Sequence, residues 1–127
     1  MSDPTPLQGE LYWIAPDVLH PSRPFARPDT PPGSHPHLVL SADVFNRSRL
    51  DHVVVCALTT RLRTANEPGA VLLEPGEGGL PQHSVVLPTQ ICRVAKADLG
   101  ARIGSLSAER VEQALAGLRF VQRLGTR

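Results

Sequence analysis

Short apolar runs separated by turn residues dominate the first hundred positions of the chain. These runs are rich in β-branched residues and are bounded by Gly, Pro, Asp or Asn, which is typical of strands. The runs span residues 11–15, 37–41, 49–58, 70–73 and 84–94. Val53 to Leu58 is apolar throughout, which predicts a strand covered on both faces at the centre of a sheet. Pro88 interrupts the last run, and because proline removes a ladder donor it is expected at a bulge, an edge or a bend.

A helical pattern begins only after Ser107. From there apolar residues recur on one face, at Val111, Ala114, Leu115, Leu118 and Val121. Ser107 is suited to cap the start of this helix and Gly125 to end it. Several short strands followed by one terminal helix predict a mainly β fold, a small barrel-like sheet with the helix packed on it.

Proline is concentrated between residues 16 and 36. Seven of the thirteen prolines of the chain fall in this segment, which includes the sequence HPSRPFARPDTPPGSHP. The composition predicts a long loop at 16–36 that holds no helix and does not pair as a central strand. A loop of this length in a compact domain is usually functional or mobile, and both interpretations stay open.

Length and composition bound the remaining possibilities. A chain of 127 residues is long enough for one core, so residues 1–127 are expected to form a single domain. The formal net charge of +1 neither requires nor excludes a polyanionic partner. Cys56 and Cys92 lie in apolar runs without metal-type spacing, which favours free thiols, with a disulfide as the alternative if their strands pair. No charged leader or long apolar stretch is present, so a soluble cytoplasmic protein without a membrane partner is expected.

Four stretches of the sequence carry a family resemblance. Residues 76–107 read GEGGLP, then SVVL, QI and a closing IGSLS, and the supporting stretches are GELYW at 9–13, LVLSAD at 38–43 and VVVCALTT at 53–60. This arrangement resembles the MazF/PemK-type toxins, the endoribonuclease component of type II toxin–antitoxin pairs. Only the first eight residues and the proline-rich segment fall outside the resemblance.

The resemblance implies a fold, an activity and partners. The fold would be an SH3-like, CcdB–PemK-type β-barrel with a C-terminal helix. The activity would be cleavage of single-stranded RNA, in particular mRNA, without a metal or other cofactor, leaving a cyclic phosphate and a free 5′-hydroxyl. The partners would be a second copy of the chain in a homodimer and a cognate antitoxin protein, with operator DNA contacted only through that antitoxin.

Two residues are candidates for catalysis. RNA cleavage without metal needs a group that activates the ribose 2′-hydroxyl, a donor that stabilises the phosphoryl oxygens and an acid for the leaving 5′-oxygen. The resemblance implies that an arginine before the proline of the second strand and a threonine ending the third strand serve these tasks. Thr59 stands at the threonine position, but His35 stands where the arginine is expected. Arginine is a permanent cation suited to phosphate, whereas histidine titrates near neutrality and can act as a base or an acid.

This replacement leaves two hypotheses open. The first is an active endoribonuclease in which His35 and Thr59 are catalytic. The second is a catalytically impaired binding module on the same fold, which acts by protein or operator-DNA contact.

Other residues are predicted to bind the RNA, each with a plainer alternative. Two arginines follow the candidate threonine directly and two more lie in the proline-rich loop, so they could together line a groove for a sugar–phosphate backbone, although each is also typical of a solvated surface. His37 shares a strand face with His35, or else hydrogen-bonds the backbone at the strand entrance. The predicted RNA-binding residues are Arg23, Arg27, His37, Thr60, Arg61 and Arg63. His20 and His52 do not complete a zinc set by spacing, so no metal site is expected.

Overall fold

The computed structural model describes residues 5–19 and 33–123, which form one antiparallel sheet, three α-helices and three short 3₁₀ turns. The strands are β1 Glu10–Ile14, β2 His35–Val39, β3 His52–Thr59, β4 Val71–Leu73, β5 Ser84–Ala95 and β6 Arg102–Ser105. The helices are α1 Pro16–Leu19, α2 Asp43–Asn46 and α3 Ala108–Gln122. No helix in this part of the chain is both long and apolar enough to span a membrane.

The strands follow the order β4-β5-β3-β2-β1-β6, and every neighbouring pair is antiparallel. The apolar strand β3 lies in the interior of the sheet, which confirms the prediction made from its sequence. Its pairing with β5 jumps from Cys56 opposite Ile91 to Ala57 opposite Leu87. Residues 88–90 are therefore extra residues in β5, and Pro88 lies at a bulge as predicted.

Each face of the curled sheet carries its own apolar cluster. Helix α3 covers the first face, where Val111 and Ala114 join a core that includes Leu11, Leu38 and Leu73. The second face holds a smaller cluster with members from β1, β2, β3 and β5, and α1 packs on its edge. Burying each of these aliphatic side chains stabilises the fold by about 1.5–3 kcal/mol, before the loss of conformational entropy is subtracted. The expected mainly β fold with a C-terminal helix is confirmed, as a six-stranded half-barrel.

The start of helix α3 is fixed by the predicted cap. Ser107 has an extended backbone, and its side-chain oxygen accepts a hydrogen bond from the Arg110 N–H at 3.2 Å. Leu115 and Leu118 pack against the first cluster beside the buried Val111 and Ala114, as their spacing predicted. Gly125 lies outside the described residues.

The prediction of a loop across 16–36 is wrong at both ends. Pro16 begins the one-turn helix α1, because a proline at the first helical position loses no helical hydrogen bond. At the other end, strand β2 begins at His35 and includes Pro36. Pro36 is tolerated there because pairing with β3 begins one residue later, at His37 opposite Ala57. Residues 20–32 lie outside the described residues.

Both cysteines are free thiols, as the sequence favoured. Register places Cys56 opposite Ile91 and Cys92 opposite Val55, so the two side chains leave opposite faces of the sheet. Cys56 joins the cluster under α3, while Cys92 packs against the cluster on the other face. Burial raises the pKa of Cys56 to about 12 and also raises that of Cys92, so both remain protonated thiols.

Candidate active site

A cleft of about 620 Å³ opens on the second face of the sheet, where β2 begins and β3 ends. The bulged part of β5 and the connection after β3 complete its walls. The lining residues are Leu19, His35, His37, Ala57, Leu58, Thr59, Arg61, Thr64, Glu67, Leu87, Gln90, Ile91 and Cys92. Strand ends and irregular backbone thus bring polar side chains to an otherwise apolar face.

His35 and Thr59, the two candidate catalytic residues, line this same cleft. The antiparallel arrangement explains why both line it, since β2 begins at His35 on the side of the sheet where β3 ends at Thr59. The paired residues nearest to them are His37 and Ala57, which also line the cleft. His35 is exposed and Thr59 is partly buried, so a ligand in the cleft has access to both side chains.

The end of β3 positions Thr59 and Arg61 together. The Thr59 side-chain oxygen accepts a hydrogen bond from the Arg61 N–H at 3.2 Å, which turns the chain as it leaves the sheet. Arg61 is exposed, and its side chain belongs to the cleft wall. Because a guanidinium keeps its charge at any physiological pH, Arg61 gives the wall of this cleft a permanent cation.

His37 has a different environment from its neighbour. It is only 4% exposed, and its Nδ1 lies 3.1 Å from the His35 carbonyl oxygen. Burial lowers the pKa of His37, which favours the neutral ring. The hydrogen bond to backbone agrees with the structural alternative considered for His37, although the residue also lines the cleft.

The remaining predicted RNA-binding residues separate into two groups. Thr60 and Arg63 are exposed in the connection after β3 but are not part of the cleft wall. Arg23 and Arg27 lie outside the described residues, so their predicted contact with RNA stays a prediction.

Sequence reasoning missed several residues of the cleft. Thr64 and Glu67 come from the 3₁₀ turn Leu62–Asn66 and the residue after it, and Gln90 comes from the bulge in β5. None of them belongs to a recognisable motif. The one available signal was the bulge predicted at Pro88, since a bulge redirects the side chains around it. In the described ranges, 5–19 and 33–123, no group of three or more His, Cys, Asp or Glu residues is arranged to hold a metal ion.

Comparison with known proteins decides the family. The family model described as "PemK-like, MazF-like toxin of type II toxin-antitoxin system" matches residues 7–121. The chain belongs to this family. The MazF-like toxin is 34% identical over 114 residues to endoribonuclease MazF2 of Mycobacterium bovis and to endoribonuclease MazF6 of Mycobacterium tuberculosis. Each match covers 90% of this chain and 94% of the relative. The resemblance inferred from the sequence is confirmed, and the alternative of a binding module is not favoured.

Solved structures share the fold of this MazF-like toxin. A mycobacterial endoribonuclease in complex with its cognate antitoxin superposes with a TM-score of 0.71 at 23% identity, covering 96% of this chain and 99% of that one. A MazE–MazF structure from Deinococcus radiodurans gives a TM-score of 0.67 at 21% identity, covering 98% of this chain and all of that one (100%). At these identities the likeness is one of fold, and the cleft residues have to be considered on their own chemistry.

Proposed function

We propose that this MazF-like toxin is an endoribonuclease that cleaves single-stranded RNA, mRNA in particular, without a metal ion, and that His35 and Thr59 carry the reaction. The observation that carries the proposal is the presence of both side chains in one cleft, together with Arg61. The family and the endoribonuclease relatives support the same reaction class.

Each side chain has a task that fits its chemistry. The imidazole of His35 exchanges a proton with one of the two reacting ribose oxygens. The Thr59 hydroxyl and the Arg61 guanidinium donate hydrogen bonds to the phosphoryl oxygens, where negative charge increases in the transition state. The 2′-oxygen attacks the adjacent phosphorus, the bond from phosphorus to the 5′-oxygen breaks, and a 2′,3′-cyclic phosphate and a 5′-hydroxyl result.

The wider setting follows from the family. We propose that a cognate antitoxin neutralises the enzyme, since structural relatives were solved as toxin–antitoxin complexes. We also propose that the protein acts in the cytoplasm as a homodimer, and that it contacts operator DNA only through the antitoxin. Thr60, Arg63, Arg23 and Arg27 are proposed to extend the RNA contact beyond the cleft, through the sugar–phosphate backbone.

The test is cleavage of a mixed-sequence RNA by the purified protein in EDTA. The wild type is expected to produce fragments that polynucleotide kinase labels at the 5′ end without prior phosphatase treatment, because the 5′-hydroxyl is free. His35→Ala and Thr59→Ala are each expected to slow cleavage by at least about 100-fold. His83→Ala is the matched control, because His83 lies on the surface beside Glu74 and not in the cleft.

Two results would contradict the proposal. One is the absence of RNA cleavage by the wild type under any condition in which the protein is folded. The other is cleavage that His35→Ala and Thr59→Ala leave unchanged. Growth inhibition that persists with Thr59→Ala would instead support action through protein contact.

A further inference from the structure

Glu67 is one of the residues that line the cleft, and it belongs to the connection between β3 and β4. Successive turns fix the backbone that carries it. The Arg61 carbonyl accepts hydrogen bonds from the Thr64 N–H at 3.0 Å and from the Thr64 hydroxyl at 2.6 Å. The Thr64 carbonyl accepts the Glu67 N–H at 2.9 Å, and the Glu67 carbonyl accepts the Ala70 N–H at 3.1 Å. The position of Glu67 is therefore set by the same turn that presents Arg61.

Five ionisable side chains line the cleft in the described part of the chain: His35, His37, Arg61, Glu67 and Cys92. Three of them are poor candidates for proton transfer near neutral pH. Arg61 is permanently charged. His37 is buried, its ring is engaged by the His35 carbonyl and its pKa is lowered. Burial raises the pKa of the Cys92 thiol, which makes its thiolate scarce.

Glu67 and His35 remain, and both are exposed to solvent. We propose that Glu67 is a further catalytic residue, the general base that removes the proton from the ribose 2′-hydroxyl, and that His35 is the paired general acid. This assignment rests on the proposed endoribonuclease function and names the second proton carrier that the reaction requires.

With these two groups, every proton and every bond in the reaction is accounted for. The Glu67 carboxylate takes the 2′-hydroxyl proton while the 2′-oxygen forms its bond to phosphorus. The bond from phosphorus to the 5′-oxygen breaks, and the 5′-oxygen takes the proton of the His35 imidazolium. Glu67 ends protonated and His35 ends neutral, and exchange with water restores both.

The direction of transfer follows from what each side chain can do with a proton. A carboxylate carries no proton and can accept one, whereas a protonated imidazole can donate one. We therefore assign the base to Glu67 and the acid to His35.

The experiment compares Glu67→Gln with the wild type in EDTA, using initial rates on mixed-sequence RNA over a range of pH. Binding is measured separately, by fluorescence anisotropy with 2′-O-methyl RNA, which lacks the attacking hydroxyl. Glu112→Gln is the control, because Glu112 is an exposed carboxylate on α3, on the other face of the sheet. The glutamine keeps the size and shape of the Glu67 side chain and one accepting oxygen, but it cannot take up the proton.

We expect the wild type to show a bell-shaped pH profile. Glu67→Gln is expected to lower the rate by about 10²–10⁴-fold and to remove the acidic limb, with binding of the 2′-O-methyl RNA unchanged. Glu112→Gln should match the wild type. If Glu67→Gln cleaves within about threefold of the wild-type rate and keeps the acidic limb, the role of Glu67 is overturned but the proposed endoribonuclease function is not. A binding loss as large as the rate loss would also overturn it, while an inactive wild type would overturn the proposed function itself.

Discussion

Gly117 offers a sharp test of how helix α3 is seated on the sheet. A glycine inside a helix normally costs about 1 kcal/mol relative to alanine, so Gly117→Ala would be expected to stabilise an isolated helix. In the folded protein the helix backbone at Gly117 instead faces the backbone of Gly69, just before β4. An added Cβ at Gly117 would lie 3.0 Å from the Gly69 Cα and closer still to its carbonyl oxygen.

The obstacle is main chain, which cannot rotate away as a flexible side chain would. Gly69 is itself constrained, because its φ is +83° and a Cβ there would lie 2.7 Å from the Gly117 carbonyl oxygen. Inserting atoms at a filled contact typically costs about 1–3 kcal/mol, and here that cost has to exceed the propensity gain of about 1 kcal/mol. Because the contact is between two backbones, we expect a cost of about 2–3 kcal/mol, so after the propensity gain Gly117→Ala should lower the free energy of unfolding by about 1–2 kcal/mol.

The assay is equilibrium urea unfolding of the purified variants at neutral pH. Ala116→Gly measures the difference in helix propensity between alanine and glycine, because Ala116 is the exposed neighbour on the same helix. This substitution should lower the free energy of unfolding by about 1 kcal/mol. The steric cost at Gly117 is then the sum of the two measured losses. A Gly117→Ala protein as stable as the wild type or more stable, with Ala116→Gly behaving as expected, would refute the close approach of α3 and the segment before β4.

Two further predictions concern pH. Burial lowers the pKa of His37 below its ordinary 6.5, so below pH 6.5 the unfolded chain takes up a proton that the folded chain resists, and the free energy of unfolding decreases as pH falls. In urea unfolding, His37→Gln should reduce the slope of this decrease by up to about 1.4 kcal/mol per pH unit. Equal slopes of unfolding free energy against pH in the variant and the wild type would contradict the explanation. Hydrogen bonds from Arg110 lower the pKa of Glu77, so the stability contributed by this pair is fully present above the ordinary pKa of 4.5 and is lost as pH falls through the lowered pKa. Glu77→Gln should lower the free energy of unfolding by about 1 kcal/mol at neutral pH and leave it unchanged in acid. A difference in unfolding free energy that persists in acid would exclude the charge of Glu77 as its cause.

The sequence was informative wherever local pattern and burial agree. The apolar run of β3, the bulge at Pro88 and the cap at Ser107 each follow from chemistry within a few residues of the feature itself. The alternation of His35 and His37 about Pro36 predicts that both side chains leave one face of the strand, and both residues line the same cleft.

Features that depend on distant pairs could not be predicted in the same way. Nothing near Glu77 in the sequence identifies its partner, yet both its carboxylate oxygens accept hydrogen bonds from Arg110, 33 positions later, at 2.9 Å. The helix at Pro16 was missed because proline density was interpreted as excluding any helix, although a proline in the first position is compatible with one. Glu67 was missed because only the fold of the connection after β3 brings it to the cleft.

The replacement of an arginine by His35 takes on a different meaning once the cleft is known. The resemblance led us to expect the cation to come from the start of β2, and its loss suggested an impaired site. Arg61 supplies a permanent positive charge to the wall of the same cleft from the residues just after β3, and its backbone N–H donates a hydrogen bond to the Thr59 side-chain oxygen. Under the proposed function, charge stabilisation moves to Arg61, and the position before Pro36 becomes free to carry a proton. An arginine cannot fill that role, because it does not release its proton in proteins. His35→Arg is therefore expected to preserve RNA binding while removing the general acid.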